Sequence, residues 1–147
     1  MMNFDFRYTE QFLIALALTS LTVLTHSVGM NLVSRYFRRF SSLAKDHGLL
    51  RGNQQVMVVI VAIMMGTHSV EVLIWAIFYL LRGVVTDRLS AIYYSVANYT
   101  TVGASGITLP DHWRGIGSFE AMAAMLMFGW STAVLAAVVV KVLSIDT

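Results

Sequence analysis

The chain has 147 residues, of which 57% are hydrophobic and 12% are charged, and its formal net charge is +2. A soluble domain carries about twice this charged fraction, so the composition argues against an ordinary soluble protein, and the length fits a single domain over residues 1–147. The absence of cysteine excludes disulfides and thiolate metal sites. So small a net charge gives no reason to expect nucleic acid as a partner, and no soluble partner is implied.

Three apolar segments are long enough to cross a bilayer. They cover roughly residues 12–33, 56–81 and 119–143. Each has on the order of 20 or more residues, which at about 1.5 Å per residue spans the roughly 30 Å hydrocarbon core. The sequence therefore predicts an all-α protein of the lipid bilayer with three transmembrane helices.

Charges between the spans predict the orientation. The segment 34–55 joins the first two spans and carries Arg35, Arg38, Arg39, Lys45 and Arg51 against Asp46. The opposite side has mixed charges, namely Arg7, Arg82, Arg88 and Arg114 with Asp5, Glu10, Asp87, Asp111 and Glu120. The positive-inside rule makes 34–55 a cytoplasmic basic loop, either a plain connection or a short helix on the inner leaflet. The N-terminus is then outside and the C-terminus cytoplasmic, in a plasma or bacterial inner membrane.

Polar residues recur inside the first two spans. The tetrapeptide Thr-His-Ser-Val occupies 25–28 and again 67–70, so His26 and His68 are predicted at similar depth, with Glu71 one turn beyond His68. A charge at the bilayer centre costs about 2.5–3.5 kcal/mol, so these groups should face protein or water. Three interpretations stay open: hydrogen bonds between the helices, a cluster that responds to or carries protons, or a metal site for Zn²⁺.

A short amphipathic segment precedes the third span. Thr86 or Asp87 can cap its start, and a helical apolar spacing then predicts a helix over 87–99, which is too short to span the bilayer. Residues 100–106 follow with the sequence Thr-Thr-Val-Gly-Ala-Ser-Gly. Gly103 suits a backbone position with positive φ.

This order of span, short helix, Thr-Val-Gly and span resembles the pore module of tetrameric potassium channels over about residues 56–143. The resemblance implies that 87–99 is a re-entrant pore helix and 100–106 a filter loop whose carbonyl oxygens replace the hydration shell of a passing cation. It implies a homotetramer in the lipid bilayer that takes K⁺ or Na⁺, or both. The filter residues would be Thr100, Thr101, Val102, Gly103, Ala104 and Ser105.

One departure from that family concerns the outer filter. A potassium channel continues Gly-Tyr-Gly-Asp where this chain has Gly103-Ala104-Ser105-Gly106. The aromatic residue and the acid are absent, and the second glycine comes one residue late. We therefore expect fewer ordered cation sites than in a potassium channel and weak discrimination between K⁺ and Na⁺.

The third span is rich in small residues, which allow close helix packing in lipid. Gly129 is the nearest match to the bending point of channel inner helices and is a candidate gating hinge, while close packing alone is the other reading.

No phosphate loop, nucleophile elbow or catalytic triad is present, so we expect no enzyme. The sequence predicts a passive channel for monovalent cations. The alternatives are a small metal- or proton-coupled transporter or sensor built on the midplane histidines, and a nonconducting structural subunit that keeps the channel fold.

Overall fold

The computed structural model describes residues 2–47, 52–103 and 106–143, and all regular secondary structure in these ranges is helical. Helix α1 covers Met2–His47, α2 covers Gly52–Leu81, α3 covers Arg88–Tyr99 and α4 covers Ile116–Leu143, with a single turn of 3-10 helix at Asp111–Trp113. The predicted all-α fold is confirmed.

Three helical stretches are long and apolar enough to cross a membrane. They are Thr9–Phe40, Gln54–Leu81 and Asp111–Val142. Much of their outward surface consists of exposed large apolar side chains, among them Leu24, Val58 and Leu126. Monomeric soluble proteins rarely expose contiguous apolar surface on this scale. The prediction of three helices of spanning length is therefore confirmed.

The predicted cytoplasmic loop 34–55 is wrong in its extent. Helix α1 continues without a break to His47 and α2 begins at Gly52. The physical reason is that the segment from residue 34 to 47 contains neither proline nor glycine, and its aromatic residues continue the buried face of α1. Val33 and Phe37 both pack against Val138 of α4 and its neighbours. The side chains of Asp5, Arg7, Lys45, Asp46 and Arg51, which entered the orientation argument, lie outside the described residues.

Helices α1 and α2 run antiparallel and approach closely at Gly29. A Cβ atom at Gly29 would lie 2.1 Å from Oγ1 and 2.9 Å from Cβ of Thr67. Nearer the other end of the pair, Nε1 of Trp75 donates a hydrogen bond of 3.1 Å to Oγ1 of Thr22. Both contacts contribute to the register of the pair, because close approach at small residues and hydrogen bonds between helices drive association in lipid.

Replacing Gly29 by Ala should destabilise the α1–α2 pair, because the new methyl group overlaps the Thr67 side chain. Such overpacking costs about 1–3 kcal/mol. The measurement is the thermal unfolding midpoint of the detergent-solubilised protein. Gly66→Ala is the matched control, since a Cβ there meets no atom within 4 Å. Equal melting of the two variants would show that this contact does not hold the pair together.

Helix α3 is short, and both of its ends have defined capping bonds. Its N-cap is Asp87, which has an extended backbone and accepts a hydrogen bond of 2.8 Å from the Ser90 amide. That backbone bond lowers the pKa of the exposed Asp87 carboxyl below its ordinary value of 3.8. At the other end, the Thr100 amide donates 2.9 Å to the carbonyl of Val96. One face of α3 is buried between α2 and α4, through Ala91, Tyr94, Ser95, Ala97 and Tyr99.

The Asp87 cap predicts a pH dependence of known sign. A lowered folded pKa means that the stabilisation is fully present above pH 3.8 and is lost as the pH falls through the folded value. Amide exchange in the first turn of α3, corrected for intrinsic rates, should therefore accelerate between pH 5 and pH 3. Asp87→Asn keeps an acceptor that does not titrate and should show less acceleration. The same acceleration in both proteins would assign the effect to another group.

Candidate functional site

Four helices bring polar side chains together around the Glu71 carboxylate. Nδ1 of His26 lies 2.9 Å from its Oε1 atom, and Nδ1 of His68 lies 3.2 Å from its Oε2 atom. The hydroxyl of Tyr99, the last residue of α3, donates to the same Oε2 atom. Ser131 of α4 completes the group. We call His26, His68, Glu71, Tyr99 and Ser131 the histidine cluster.

The two imidazoles have the same orientation within this cluster. Each presents Nδ1 to Glu71 and Nε2 to Ser131, whose Oγ atom lies 3.1 Å from Nε2 of His68 and 3.4 Å from Nε2 of His26. The side chains of His26 and Glu71 are fully buried, and that of His68 is 13% exposed. The structure thus brings the two histidines together inside the protein, with their ring centroids 5.3 Å apart.

Ser131 can bond the two imidazoles in more than one way. Its single hydroxyl proton can reach one Nε2 atom at a time, whereas its oxygen can accept hydrogen bonds from both. The Tyr99 hydroxyl contacts Glu71 and lies 2.8 Å from Nδ1 of His68, so its proton also takes part in this network.

Aromatic rings surround the cluster. Trp130 lies against His26 with ring centroids 5.1 Å apart, and Phe128 lies 5.0 Å from His68 and 5.3 Å from Tyr99. On one side, a mostly apolar groove of about 480 Å³ opens beside His68 and runs past Tyr99 to Thr100. The rings shield most of the cluster, and His68 borders this groove.

A second buried carboxylate fixes the middle of α3. Glu120 is fully buried and accepts a hydrogen bond of 2.6 Å from the Tyr79 hydroxyl. Ser95 contacts Glu120 at 2.5 Å and the carbonyl of Val72 at 2.9 Å. Counting Glu120 among the charges of an outer loop was wrong, because α4 begins at Ile116 and this side chain points into the protein.

The predicted filter residues follow directly from α3. Thr100, Thr101, Val102 and Gly103 are exposed, and Val102 is 82% exposed. Thr101 and Gly103 have positive φ values of 62° and 84°, the conformation expected for Gly103. Their amides donate 2.9 Å bonds to the carbonyls of Asn98 and Ala97. The segment thus forms a turn on the end of α3 in the single chain, whereas Ala104 and Ser105 lie outside the described residues.

The other candidate residues stay apart from these networks. Gly129 is exposed on α4, and a Cβ there would meet nothing within 4 Å, so packing within one chain does not require a glycine. His112 is exposed, and its ring lies 5.7 Å from that of Trp113. It takes no part in the hydrogen bonds described above for the histidine cluster. The side chain of His47 lies outside the described residues.

A protein-family model described as an ion channel matches residues 67–141, just over half of the chain. The chain belongs to this ion channel family. The matched region begins at the second Thr-His-Ser-Val tetrapeptide and contains α3, the segment 100–103 and nearly all of α4. No curated protein and no solved structure matches the chain.

Membership in the ion channel family, together with three helices of spanning length, makes this an integral membrane protein. The family is one of channels, which agrees with the expectation that the chain is not an enzyme. The match begins within α2, so it contains no part of α1.

Sequence reasoning missed three partners in this ion channel. Tyr99 and Ser131 complete the histidine cluster, and Glu120 anchors Ser95. Glu120 could have been found, because it is the single acid within the 28-residue helix α4, and such an acid needs a buried partner in lipid. Tyr99 and Ser131 carried no sequence signal of their own, since their roles depend on which helices meet.

Two substitutions of Glu120 distinguish its role as a hydrogen-bonding partner from its role as a charge. Glu120→Ala leaves the hydroxyls of Tyr79 and Ser95 without this acceptor and opens a cavity, so we expect a loss of roughly 3 kcal/mol or more in unfolding free energy. Glu120→Gln keeps the shape, its amide oxygen can accept from one hydroxyl and its amide nitrogen can donate to the other, so it should cost less than about 1.5 kcal/mol. Chemical denaturation in detergent measures both. Equal losses for the two variants would mean that Glu120 acts as a charge rather than as a bonding partner.

Proposed function

We propose that four copies of this chain assemble around a central axis and conduct monovalent cations, K⁺ and Na⁺, along the exposed segment 100–103. The observation that carries the proposal is an asymmetry of α3. The face that includes Ala91, Ser95 and Tyr99 is buried against the rest of the chain, while the segment that follows has no packing of its own. Each chain supplies one such segment, and a ring of carbonyl oxygens needs several.

Exposed apolar side chains on α3 and just after it support an assembly of several copies of the chain. Leu89 and Tyr93 on the outer face of α3 are 77% and 55% exposed, and Val102 is more exposed than either. Tyr99, only three residues before Val102, is 2% exposed. Copies of the same chain around an axis would cover these side chains, and members of this family typically work as oligomers in a membrane.

Electrostatics at the end of α3 favours a cation. The last carbonyls of a helix carry about half an elementary negative charge in total, and the final turn of α3 contains no basic residue that would offset it. The hydroxyl and carbonyl oxygens of Thr100 and Thr101 add further acceptors at the same place. An anion would meet unfavourable charge here, so the proposed substrate is a cation.

Selectivity and orientation complete the proposal. The missing aromatic residue after Gly103 supports weak discrimination between K⁺ and Na⁺. Arg38 of α1 and Lys141 of α4 line one groove at the same end of the bundle, while Asp87 and Asp111 belong to the opposite end. The positive-inside rule then supports a cytoplasmic C-terminus, with the segment 100–103 nearer the outside.

The decisive experiment is a recording from purified protein in planar bilayers under opposed K⁺ and Na⁺ gradients. We expect cation currents with a reversal potential near zero, and native mass spectrometry should give four chains of 16.3 kDa each. A reversal potential close to the K⁺ equilibrium value would contradict weak selectivity. A four-fold assembly without current would make the chain a nonconducting structural subunit, and a monomer would end the pore proposal.

Gly103→Ala tests whether the segment 100–103 carries the current. A Cβ at Gly103 meets no atom within 4 Å, so the substitution acts only through the positive φ of 84°, at about 1–2 kcal/mol. We expect loss of current with assembly unchanged. Gly66→Ala is the matched control, an equally uncrowded glycine on α2. Unchanged current in Gly103→Ala would place the pathway elsewhere.

A further inference from the structure

We propose that His26, His68 and Glu71 form a binding site for a divalent metal ion of the zinc class. Two imidazoles and one carboxylate from α1 and α2 converge here, and one ligand atom from each residue lies within 4.8 Å of the other two. The proposal concerns binding at the histidine cluster and does not depend on whether the chain conducts cations.

Two contacts among the ligand atoms are close to the spacing around a tetrahedral ion, and all three ligand atoms lie within 4.8 Å of one another. Zinc bonds of 2.0–2.1 Å imply about 3.3 Å between neighbouring ligand atoms. The separation between Nδ1 of His26 and Oε1 of Glu71 is 2.9 Å, and that between Nδ1 of His68 and Oε2 is 3.2 Å. Each contact therefore needs to widen by only a few tenths of an ångström to admit the ion.

Ser131 can hold both imidazoles in the form that a metal requires. A histidine that binds through Nδ1 must carry its proton on Nε2, and a hydrogen bond from that Nε2 proton fixes the ring. Both Nε2 atoms face the Ser131 hydroxyl, whose oxygen can accept two hydrogen bonds. Both Nδ1 lone pairs are then free for the ion.

The donors and the surroundings favour zinc over magnesium or calcium. Imidazole nitrogen suits zinc, whereas the hard cations prefer sites made wholly of oxygen. The ligands come from rigid helix interiors, and His26 and Glu71 are fully buried, so little water competes for the ion. The groove beside His68 provides an entry path.

A metal ion bound by the three ligands would affect the segment 100–103 through Tyr99. The Tyr99 hydroxyl donates to Glu71 and lies 2.8 Å from Nδ1 of His68, so two of the three ligands bond directly to it. A metal ion draws the carboxylate and the ring toward itself and changes the bonds available to Tyr99. Thr100 follows immediately in the chain, so the site can bias the conformation of this segment.

Metal binding is measured directly on the full-length protein in detergent. After treatment with a chelator, the protein is titrated with ZnCl₂ against a chromophoric zinc indicator, and bound metal is counted by mass spectrometry. We expect one zinc per chain in the wild type. His26→Ala and His68→Ala should each weaken binding at least 100-fold, and Ser131→Ala about 10- to 100-fold. His112→Ala, an exposed histidine outside the cluster, should bind as the wild type does.

X-ray absorption at the zinc edge keeps the test independent of variants that fail to fold. The wild type should show two imidazole ligands and an oxygen donor, and Glu71→Gln, which preserves the shape of the side chain, should lose affinity while melting as a folded protein. Absence of stoichiometric zinc in the folded wild type would overturn the site and leave the cluster as a hydrogen-bonded link. Zinc retained by both histidine variants would also overturn it. Neither measurement involves current, so a failed channel proposal leaves these results unaffected.

Discussion

The position of α3 depends on one buried carboxylate, that of Glu71. It forms hydrogen bonds with His26 of α1, with His68 of its own helix and with Tyr99 at the end of α3. Both imidazoles also lie within hydrogen-bond distance of Ser131 of α4. Removing one partner from such a buried set typically costs about 3–5 kcal/mol, because the remaining polar groups lose their bonds in a place that water does not enter. Apolar packing alone would not position α3 in this way, because lipid tails are as apolar as the side chains against which the helix packs.

Glu71 and Glu120 act at different points on the same face of α3. Glu120 contacts Ser95 and Glu71 contacts Tyr99, one helical turn apart. The Asp87 cap fixes the first turn. The cap orders α3 itself, while the bonds to Glu120 at its middle and to Glu71 at its end restrain it from rotating or sliding against α2 and α4. The residues that follow α3 therefore begin at a defined point. That precision matters for a pore, because small displacements of ligand atoms change how well they replace water around an ion.

The sequence predicted the architecture well and the interior poorly. Apolar length identified three helices, and an N-cap residue with a short periodic segment identified α3, because these signals are local. The paired tetrapeptides correctly suggested that His26 and His68 meet. The predicted end of α1 was too early, because the run of arginines was interpreted as a loop. Residues 34–47 contain no proline or glycine that would stop a helix. Ser131 was missed and Glu120 was misassigned because their partners lie on other helices, which periodicity within one helix does not reveal.

The first helix gains a physical role from these contacts. The family match covers residues 67–141, which are the second half of α2, α3 and nearly all of α4, and it contains no part of α1. Yet α1 supplies His26, and without it one oxygen of Glu71 and one side of Ser131 would lose a partner. Gly29, three residues further along α1, allows the close approach that brings His26 to Glu71. Helix α1 therefore completes the histidine cluster, which also contains Tyr99 at the end of α3. Each of the two Thr-His-Ser-Val tetrapeptides supplies one histidine to this cluster.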